Sequence, residues 1–295
     1  MKKKILITGA SGFLGVNLIK ELSKQKSFLI FGLVNLKTRK FKKIKNVKYI
    51  KSDISNSKLL RKKLKNNFDY VINFAGNIDH KNKNQTLKTH YFGLKNLINA
   101  IQKEKIKRFI QVGSSLEYGN KECPHFENTK CNPKSHYGKS KFLSTKFIQK
   151  KIKNYIILRP YQIYGAHQKI NRLIPLVIDA CLKNKSFDCT DGSQYRDFLY
   201  VEDFIDLVIK IIKKGKIKAG IYNVGSGKPI KVKKVISSIQ KIIKKGKPQF
   251  GKIKMRRDES NSSYPNILKI KRNLNWKPKT KFHYGLKKTI NFYEN

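Results

Sequence analysis

A tyrosine and a lysine at helical spacing are the first residues whose types could do chemistry together. The segment SHYGKSK carries Tyr137 and Lys141, and positions i and i+4 of a helix share one face. A free tyrosine has a pKa of about 10, so it is a poor base near neutral pH. A neighbouring ammonium group stabilises the phenolate and lowers that pKa. The pair could therefore exchange a proton with a carbonyl or hydroxyl group.

Two serines provide a second polar group. The segment GSSLEYG places Ser114 and Ser115 directly after an apolar run, where a hydroxyl could orient the same carbonyl. The Y-x-x-x-K spacing alone is weak evidence, because the chain has 58 lysines and an exposed helix pair is the simpler interpretation. The interpretation as a reaction centre therefore depends on the elements around these residues.

A glycine-rich turn follows the first apolar run. The segment TGASGFLG has G-x-x-G-x-x-G spacing, directly after KILI and before a helical pattern. In such a turn the glycines allow a tight bend, a close approach to a pyrophosphate and close packing of helix on strand. The helix N-terminus adds free N–H groups for phosphates. A plain strand-to-helix turn is the alternative. The predicted cofactor contacts here are Gly9, Ser11, Gly12, Phe13, Leu14 and Gly15.

The end of the second predicted strand bears on which dinucleotide would bind. An Asp or Glu there reads the ribose 2′-hydroxyl of NAD, but this strand ends at Asn35, and Lys37, Arg39 and Lys40 follow. Basic residues suit a 2′-phosphate, so the sequence favours NADP(H), with NAD(H) possible. Asp53 and Ile54, after the third strand, are expected to flank the adenine.

The elements that must position these residues alternate along the chain. Apolar runs occur at 5–8, 28–34, 47–50, 70–75, 108–114 and 155–160, with helical patterns between several of them. This alternation predicts an α/β fold with a doubly wound parallel sheet and right-handed crossovers. Ligands of such folds bind at the carboxyl ends of the strands. After residue 165 the alternation loosens, which predicts a smaller second lobe.

The composition bears on whether the protein binds nucleic acid or a small anionic substrate. The formal net charge is +49, but only nine of the 67 basic residues are arginine, and the lysines are spread along the whole chain. This pattern favours compositional bias over a dedicated nucleic-acid surface, which would be richer in clustered arginine. The excess charge should still attract an anionic substrate.

Compartment and metal content are predicted from what the sequence lacks. The four cysteines contain no CxxC pair, so we expect reduced thiols in a cytoplasmic protein and no metal site. No apolar run reaches the ~20 residues needed to span a bilayer. The opening MKKKILITGASGFLG is expected to stay on the mature protein, because glycines and charged residues interrupt a signal-like run.

These motifs together resemble an extended short-chain dehydrogenase/reductase of the NAD(P)-dependent nucleotide-sugar epimerase/dehydratase family. TGASGFLG, SDI, VINFAG, GSSLEYG, YGKSK, LRPYQIYG, RDFLYVEDF and YNVGSGKPI occur in the family's order. The resemblance implies a Rossmann domain at 1–165 and 197–221, and a nucleotide-sugar lobe at 166–196 and 222–295. It also implies a homodimer.

The resemblance carries residue roles onto matching positions. Ser114, Tyr137 and Lys141 would be catalytic, with Tyr137 as the acid/base and Lys141 holding the nicotinamide ribose. Further cofactor contacts would be Phe74, Ala75, Gly76, Pro160 and Ile163. Substrate contacts would be Ser115, Gln162, Arg172, Arg196 and Arg256, with the arginines suited to a diphosphate.

Three departures from the family pattern affect the expected reaction. Family dehydratases carry an acid two or three places before the tyrosine of the YG pair, where this chain has Leu116 and Ser115, with Glu117 one place too late. Dehydration is therefore not expected. Gln162 and His90 each replace a common asparagine, and no catalytic role is assigned to His90.

The expected reaction is reduction of a 4-keto-6-deoxyhexose linked to CDP or dTDP, in surface-polysaccharide sugar synthesis. YQIYG with NRLIP, and GKIKMRRDE, most resemble the reductases of the CDP-abequose and CDP-paratose synthase type. A nucleotide-sugar 4-epimerase with tightly bound NAD would use the same residues and is the alternative. A non-catalytic protein with a basic binding surface is a remote third interpretation.

Overall fold

The computed structural model describes residues 2–39, 41–77, 83–255 and 259–294. The chain packs into two compact units. The first comprises 1–119, 130–159 and 207–222, and the second 120–129, 160–206 and 223–295. Residues 120–129 and 197–206 thus belong to the second unit, whereas the sequence-based division assigns them to the first. That division, with its roles in cofactor and sugar binding, stays a prediction.

A seven-stranded sheet forms the centre of the first unit. Its order is β10-β6-β5-β4-β1-β2-β3. The strands are β1 (Lys3–Thr8), β2 (Phe28–Val34), β3 (Val47–Lys51), β4 (Tyr70–Asn73), β5 (Arg108–Val112), β6 (Tyr155–Pro160) and β10 (Gly220–Val224). The pairings from β3 through β6 are all parallel. Together with the helices between its strands, this sheet confirms the predicted α/β fold class.

Helices and short turns connect these strands. The helices are α1 (Phe13–Leu22), α2 (Ser57–Lys63), α3 (Lys83–Leu87), α4 (Gly93–Ala100), α5 (His136–Lys151) and α7 (Val201–Lys213), whose residues from 207 on belong to this unit. A π-helical segment (Lys88–Phe92) lies between α3 and α4. Two 3-10 turns, Lys103–Lys105 and Ser115–Glu117, flank β5.

The core of this unit lies between the sheet and its helices. Ile5, Leu6 and Ile7 of β1 are fully buried, as expected when both faces of a parallel sheet are covered. Leu6 packs in one cluster with Leu94, Leu97 and other buried apolar side chains of the helices. The apolar runs that predicted the strands are therefore the runs that the helices cover.

The second unit is a smaller mixed structure. In it β9 (Tyr195–Tyr200) pairs antiparallel with β11 (Pro229–Lys231) and parallel with β7 (Gln162–Tyr164) and β13 (Ser262–Ser263). A separate parallel pair is β8 (Ser186–Asp188) with β12 (Lys247–Gln249). The helices are α6 (Leu173–Leu182), α8 (Val232–Ile243), α9 (Leu268–Leu274) and α10 (Phe282–Glu294). Within the described ranges, no helix is both long and apolar enough to cross a membrane.

Candidate active site

The glycine turn connects β1 to α1 with very little space around its backbone. Gly9 has φ +65°, and a Cβ there would lie 2.7 Å from the carbonyl oxygen of Phe74. A Cβ on Gly15 would overlap the carbonyl oxygen of Gly9. Gly12 is the N-cap of α1, and among the described residues no side chain caps that helix. The uncapped N-terminus and the glycine cradle fit the pyrophosphate of a dinucleotide.

The loop after β4 packs against this turn. Ala75 N–H donates a hydrogen bond of 3.0 Å to Thr8 Oγ1, the residue immediately before Gly9. Phe74 and Ala75 are half-buried and Gly76 is exposed. The loop and the glycine turn therefore lie side by side at the carboxyl ends of adjacent strands, where ligands of such sheets bind.

The residues predicted to contact the adenosine half lie at the ends of β2 and β3. Asn35 is exposed, and its Oδ1 accepts a hydrogen bond of 2.8 Å from Lys37 N–H. Asp53 Oδ1 accepts hydrogen bonds from both the N–H and the hydroxyl of Ser55, at 2.8 Å each. Ile54 is buried. Arg39 is exposed, whereas Lys40 lies outside the described residues.

Helix α5 carries the predicted acid/base pair on one face. Ser135 Oγ accepts a hydrogen bond from Gly138 N–H and caps the helix, so Tyr137 lies in its first turn and Lys141 in its second. Lys141 Nζ lies 5.6 Å from the centroid of the Tyr137 ring. It donates a hydrogen bond of 2.8 Å to the carbonyl oxygen of Val112, which joins α5 to the end of β5. The structure thus brings Tyr137 and Lys141 together, as predicted.

Burial sets the charge state of Lys141. The side chain is only 4% exposed, and its desolvation lowers the pKa to about 8, although Glu117 acts to raise it. An ammonium ion in such a site is poorly screened by water. Its attraction for a phenolate at Tyr137 is therefore stronger than that of a surface lysine.

Ser114 is held at the end of β5, two residues after Val112. It is the N-cap of the turn Ser115–Glu117, and its Oγ accepts a hydrogen bond of 3.1 Å from Leu116 N–H. The hydroxyl hydrogen is still able to point to a substrate carbonyl. Ser114 and Ser115 are buried, whereas Leu116 is 42% exposed.

The carboxylate of Glu117 is fully buried, in contact with protein groups. It accepts hydrogen bonds from Ser114 N–H at 2.9 Å, from Thr145 Oγ1 at 2.8 Å and from Arg159 Nη2 at 2.7 Å. From the sequence, Glu117 was considered only as an acid that stands one place too close to the tyrosine of the YG pair to serve in dehydration. The S-x-x-E spacing of Ser114 and Glu117 was the unused signal, because it is the signature of the capping box observed here.

A second residue whose contact was not predicted is His90. Its ring packs edge-on against the ring of Tyr137, with centroids 5.0 Å apart, and it is buried. His90 Nε2 lies 2.8 Å from the carbonyl oxygen of Asn77, and the carbonyl of His90 accepts a hydrogen bond from Ser144 on α5. The substitution of histidine for a common asparagine was the available signal, but 47 positions separate the two rings in sequence.

Three of the five predicted substrate residues line a cavity of about 360 Å³ in the second unit. Its lining includes Gln162, Arg172 and Arg196, and also Ile163, which was expected to contact the cofactor. Arg196 is buried, and its guanidinium donates to Glu259 Oε1 at 2.7 Å and to the carbonyl of Ser260 at 2.8 Å. Such a volume suits a small-molecule ligand.

Two further predicted contacts, Ser115 and Pro160, are not among the residues that line this cavity. Ser115 lies in the first unit, in the turn after Ser114. Pro160 is the last residue of β6. Arg256 lies outside the described residues.

Comparison with known proteins decides the family. A model of the NAD dependent epimerase/dehydratase family matches residues 5–225. The chain belongs to this family. It is an enzyme family whose relatives here act on nucleotide sugars, so the family assignment made from the sequence is confirmed.

Individual relatives carry different activities. The chain is 28% identical to human dTDP-D-glucose 4,6-dehydratase over 99% of its own length and 90% of that protein. It is 36% identical to CDP-abequose synthase of Salmonella muenchen, but over only 48% of each chain. Thermus thermophilus UDP-glucose 4-epimerase, solved with NAD, has the same fold (TM-score 0.88, 21% identity, 99% of both chains). Proteins similar to this chain therefore catalyse several different reactions.

Proposed function

We propose that this protein reduces the C4 ketone of a nucleotide-linked 4-keto-6-deoxyhexose, with NADPH as the preferred reductant. The observation that carries the proposal is the set of functional groups at the candidate site, which holds a tyrosine, a lysine and a serine but no acid at the position that dehydration uses. The resemblance to the family implies that elimination of water uses an acid two or three places before the tyrosine of the YG pair, but those positions, 116 and 115, are leucine and serine. The Glu117 carboxylate, one place before that tyrosine, is buried and accepts hydrogen bonds from Ser114, Thr145 and Arg159. Hydride transfer coupled to proton transfer needs only the groups that are present.

The residues of α5 and β5 would share the work on the ketone. The nicotinamide, when bound, supplies the hydride. Tyr137 donates its phenolic proton to the carbonyl oxygen, and the buried ammonium of Lys141 stabilises the phenolate that remains. Ser114 donates a hydrogen bond to the same oxygen and so stabilises the charge that develops there.

The preference for NADPH rests on the end of β2. Asn35 carries no charge to repel a 2′-phosphate, and Arg39 nearby is exposed and able to bind it. Changing Asn35 to Asp should weaken NADPH binding and favour NADH, which fluorescence titration of both cofactors would measure. Equal affinities in the wild type would contradict the preference.

The diphosphate and the nucleotide are assigned to the cavity of the second unit. Arg196 lines it, held by Glu259 and by backbone carbonyl oxygens, and Arg172 lines it half-buried. The guanidinium group of an arginine suits the oxygens of a phosphate. The partial similarity to CDP-abequose synthase supports CDP as the nucleotide, and the similarity to human dTDP-D-glucose 4,6-dehydratase supports dTDP. We propose further that the enzyme is a cytoplasmic homodimer in the synthesis of surface-polysaccharide sugars.

The direct experiment is a panel of substrates. Purified protein is mixed with NADPH or NADH and with CDP-, dTDP-, UDP- and GDP-linked 4-keto-6-deoxyhexoses, and absorbance at 340 nm is followed. We expect stoichiometric loss of NADPH with a CDP or dTDP sugar and a 4-hydroxy product by NMR. Loss of neither cofactor with any keto sugar would refute the proposal.

The second candidate is a nucleotide-sugar 4-epimerase. It is favoured by the likeness in fold to the Thermus epimerase and by the Tyr137–Lys141 pair, which can move a proton in either direction. An epimerase would co-purify with NAD and would show no net change at 340 nm. Extraction of the purified protein, followed by chromatography of released cofactor, separates the two candidates.

A further inference from the structure

Glu117 has no part in the proposed transfer, yet it contacts three segments of the first unit. Its carboxylate accepts from the backbone of Ser114, from Thr145 on α5 and from Arg159 on β6. Thr145 follows Tyr137 and Lys141 at successive four-residue steps, so these three side chains form one stripe along the helix. Glu117 therefore connects the residue that orients the carbonyl to the face that carries the acid/base pair.

The surrounding backbone is fitted closely to this carboxylate. A Cβ on Gly113 would lie 2.6 Å from Glu117 Oε1, so the carboxylate can sit there only because residue 113 has no side chain. A Cβ on Gly138 would lie 2.5 Å from the carbonyl oxygen of Leu116, so the first turn of α5 packs directly on the turn that holds Glu117. These two close approaches fix the turn between β5 and α5.

A buried carboxylate needs compensation, which Arg159 supplies. Both side chains are at most 2% exposed, and the ion pair spans 2.7 Å. Burial acts to lower the pKa of the Arg159 guanidinium, but Glu117 and other neighbouring groups together raise it above its ordinary value. Breaking such a pair by removing one partner is strongly destabilising, because it leaves an uncompensated buried charge. The pair is therefore an anchor rather than a reactive group.

We propose that Glu117 is a positioning residue for the reaction: it holds the hydroxyl of Ser114 in register with Tyr137 and Lys141, and its charge keeps the Lys141 ammonium in place. This inference rests on the proposed function, because it assigns Glu117 a role in the same hydride and proton transfer. The acidic residue of this segment acts here on the protein's own catalytic groups and not on the substrate.

Electrostatics supports the second half of the role. Desolvation lowers the pKa of Lys141, and Glu117 opposes that effect. Among the described residues, the titratable or charged groups around Lys141 are Tyr137 on its own helix, Glu117 from the turn and Arg159 behind Glu117; His90 from the π-helical segment packs on Tyr137. Of these, Glu117 supplies the negative charge that favours the ammonium form.

The test compares Glu117→Gln with the wild type and with Glu104→Gln, an exposed glutamate on another 3-10 turn. For Glu117→Gln we expect kcat to fall roughly 10- to 100-fold, with KM for sugar and NADPH within about twofold, since cofactor and substrate contacts are untouched. The alkaline limb of the pH profile should move to lower pH by roughly half a unit to one unit. Glu104→Gln should match the wild type.

The outcomes separate the two proposals. A wild type that turns over no keto sugar defeats the proposed function, whereas an active wild type with an equally active Glu117→Gln variant and an unmoved pH profile defeats the positioning role. If Glu117→Gln fails to fold by circular dichroism, Thr145→Val decides, because it removes a single hydrogen bond at similar volume. We then expect a severalfold fall in kcat with unchanged KM, and an unchanged kcat would overturn the inference.

Discussion

At the scale of single residues, the proposed reaction depends on one buried positive charge. Lys141 is held by a carbonyl oxygen at the end of β5, near the ring of Tyr137 and under the influence of Glu117. Burial of an ammonium ion is unfavourable, and the folding free energy of the first unit must compensate for it. The result is a lysine that titrates close to physiological pH.

A pH dependence follows from this lysine. Its pKa is lowered to about 8, so the ammonium form is present below that pH and is lost as the pH rises through it. We expect kcat/KM, which reports the free enzyme, to fall above an apparent pKa near 8. Initial rates from pH 6 to 10 would measure it, and a rate that is constant up to pH 10 would contradict it.

The sequence predicted part of this site and missed part of it for a physical reason. Tyr137, Lys141 and Ser114 were predicted, because helical spacing and strand ends are local signals. The contact of His90 with Tyr137 joins residues far apart in sequence, and no local pattern encodes it. Glu117 could have been predicted as a cap from its spacing to Ser114, but its bonds to Thr145 and Arg159 depend on the packing of α5 and β6.

At the scale of elements, close backbone contacts in the β1–turn–α1 segment restrict which residues can occupy its glycine positions. Helix α1 lies so close to the turn that a Cβ on its Gly15 would overlap the carbonyl oxygen of Gly9. Strand predictions at the site were correct in position and too long in extent. The runs 70–75 and 108–114 end as strands at Asn73 and Val112, because the residues beyond them leave the sheet to form the site.

A glycine pair tests the close approach. Gly15→Ala would press a methyl group into the carbonyl oxygen of Gly9, so we expect destabilisation of about 3 kcal/mol and loss of dinucleotide binding. Gly215→Ala is the matched control, since no atom lies within 4 Å of the position that its methyl group would take. Thermal melts and NADPH titration would measure both, and equal behaviour of the two variants would contradict the close packing.

Arg108 provides a second test at this scale. The first residue of β5 donates hydrogen bonds to the carbonyl oxygens of Ile211, Lys214 and Gly215, at and just beyond the end of α7. Arg108→Met would remove the buried guanidinium that donates these three hydrogen bonds, which we expect to cost about 3 kcal/mol in urea unfolding. The exposed Arg61→Met should cost about 0.5 kcal/mol or less. Similar losses for both variants would contradict the role of Arg108 in holding the C-terminal end of α7.

At the scale of the whole molecule, the dominant property is charge. A formal net charge of +49 on 295 residues, which remains after the 18 acidic residues are set against the 67 basic ones, produces repulsion in the compact state. Salt screens such repulsion, with a Debye length of about 10 Å at 0.1 M. The charge is therefore expected to destabilise the protein at low ionic strength.

The melting temperature should accordingly rise by several degrees when NaCl is increased from low to near-physiological concentration. Differential scanning calorimetry would measure it, with glucose at matched osmolality as the control for effects other than screening. A melting temperature that stays constant or falls with salt would show that the lysine-rich surface is not under electrostatic strain.

The central claim is that a hydride passes from a nicotinamide to a sugar ketone while Tyr137 supplies the proton. NADPH carrying deuterium at both hydrogens of nicotinamide C4 is incubated with the active keto sugar, and the product is analysed by NMR and mass spectrometry. We predict one deuterium at C4 of the sugar, formed at least about 100-fold more slowly by Tyr137→Phe. Product without deuterium, or transfer at the wild-type rate by Tyr137→Phe, would contradict the claim.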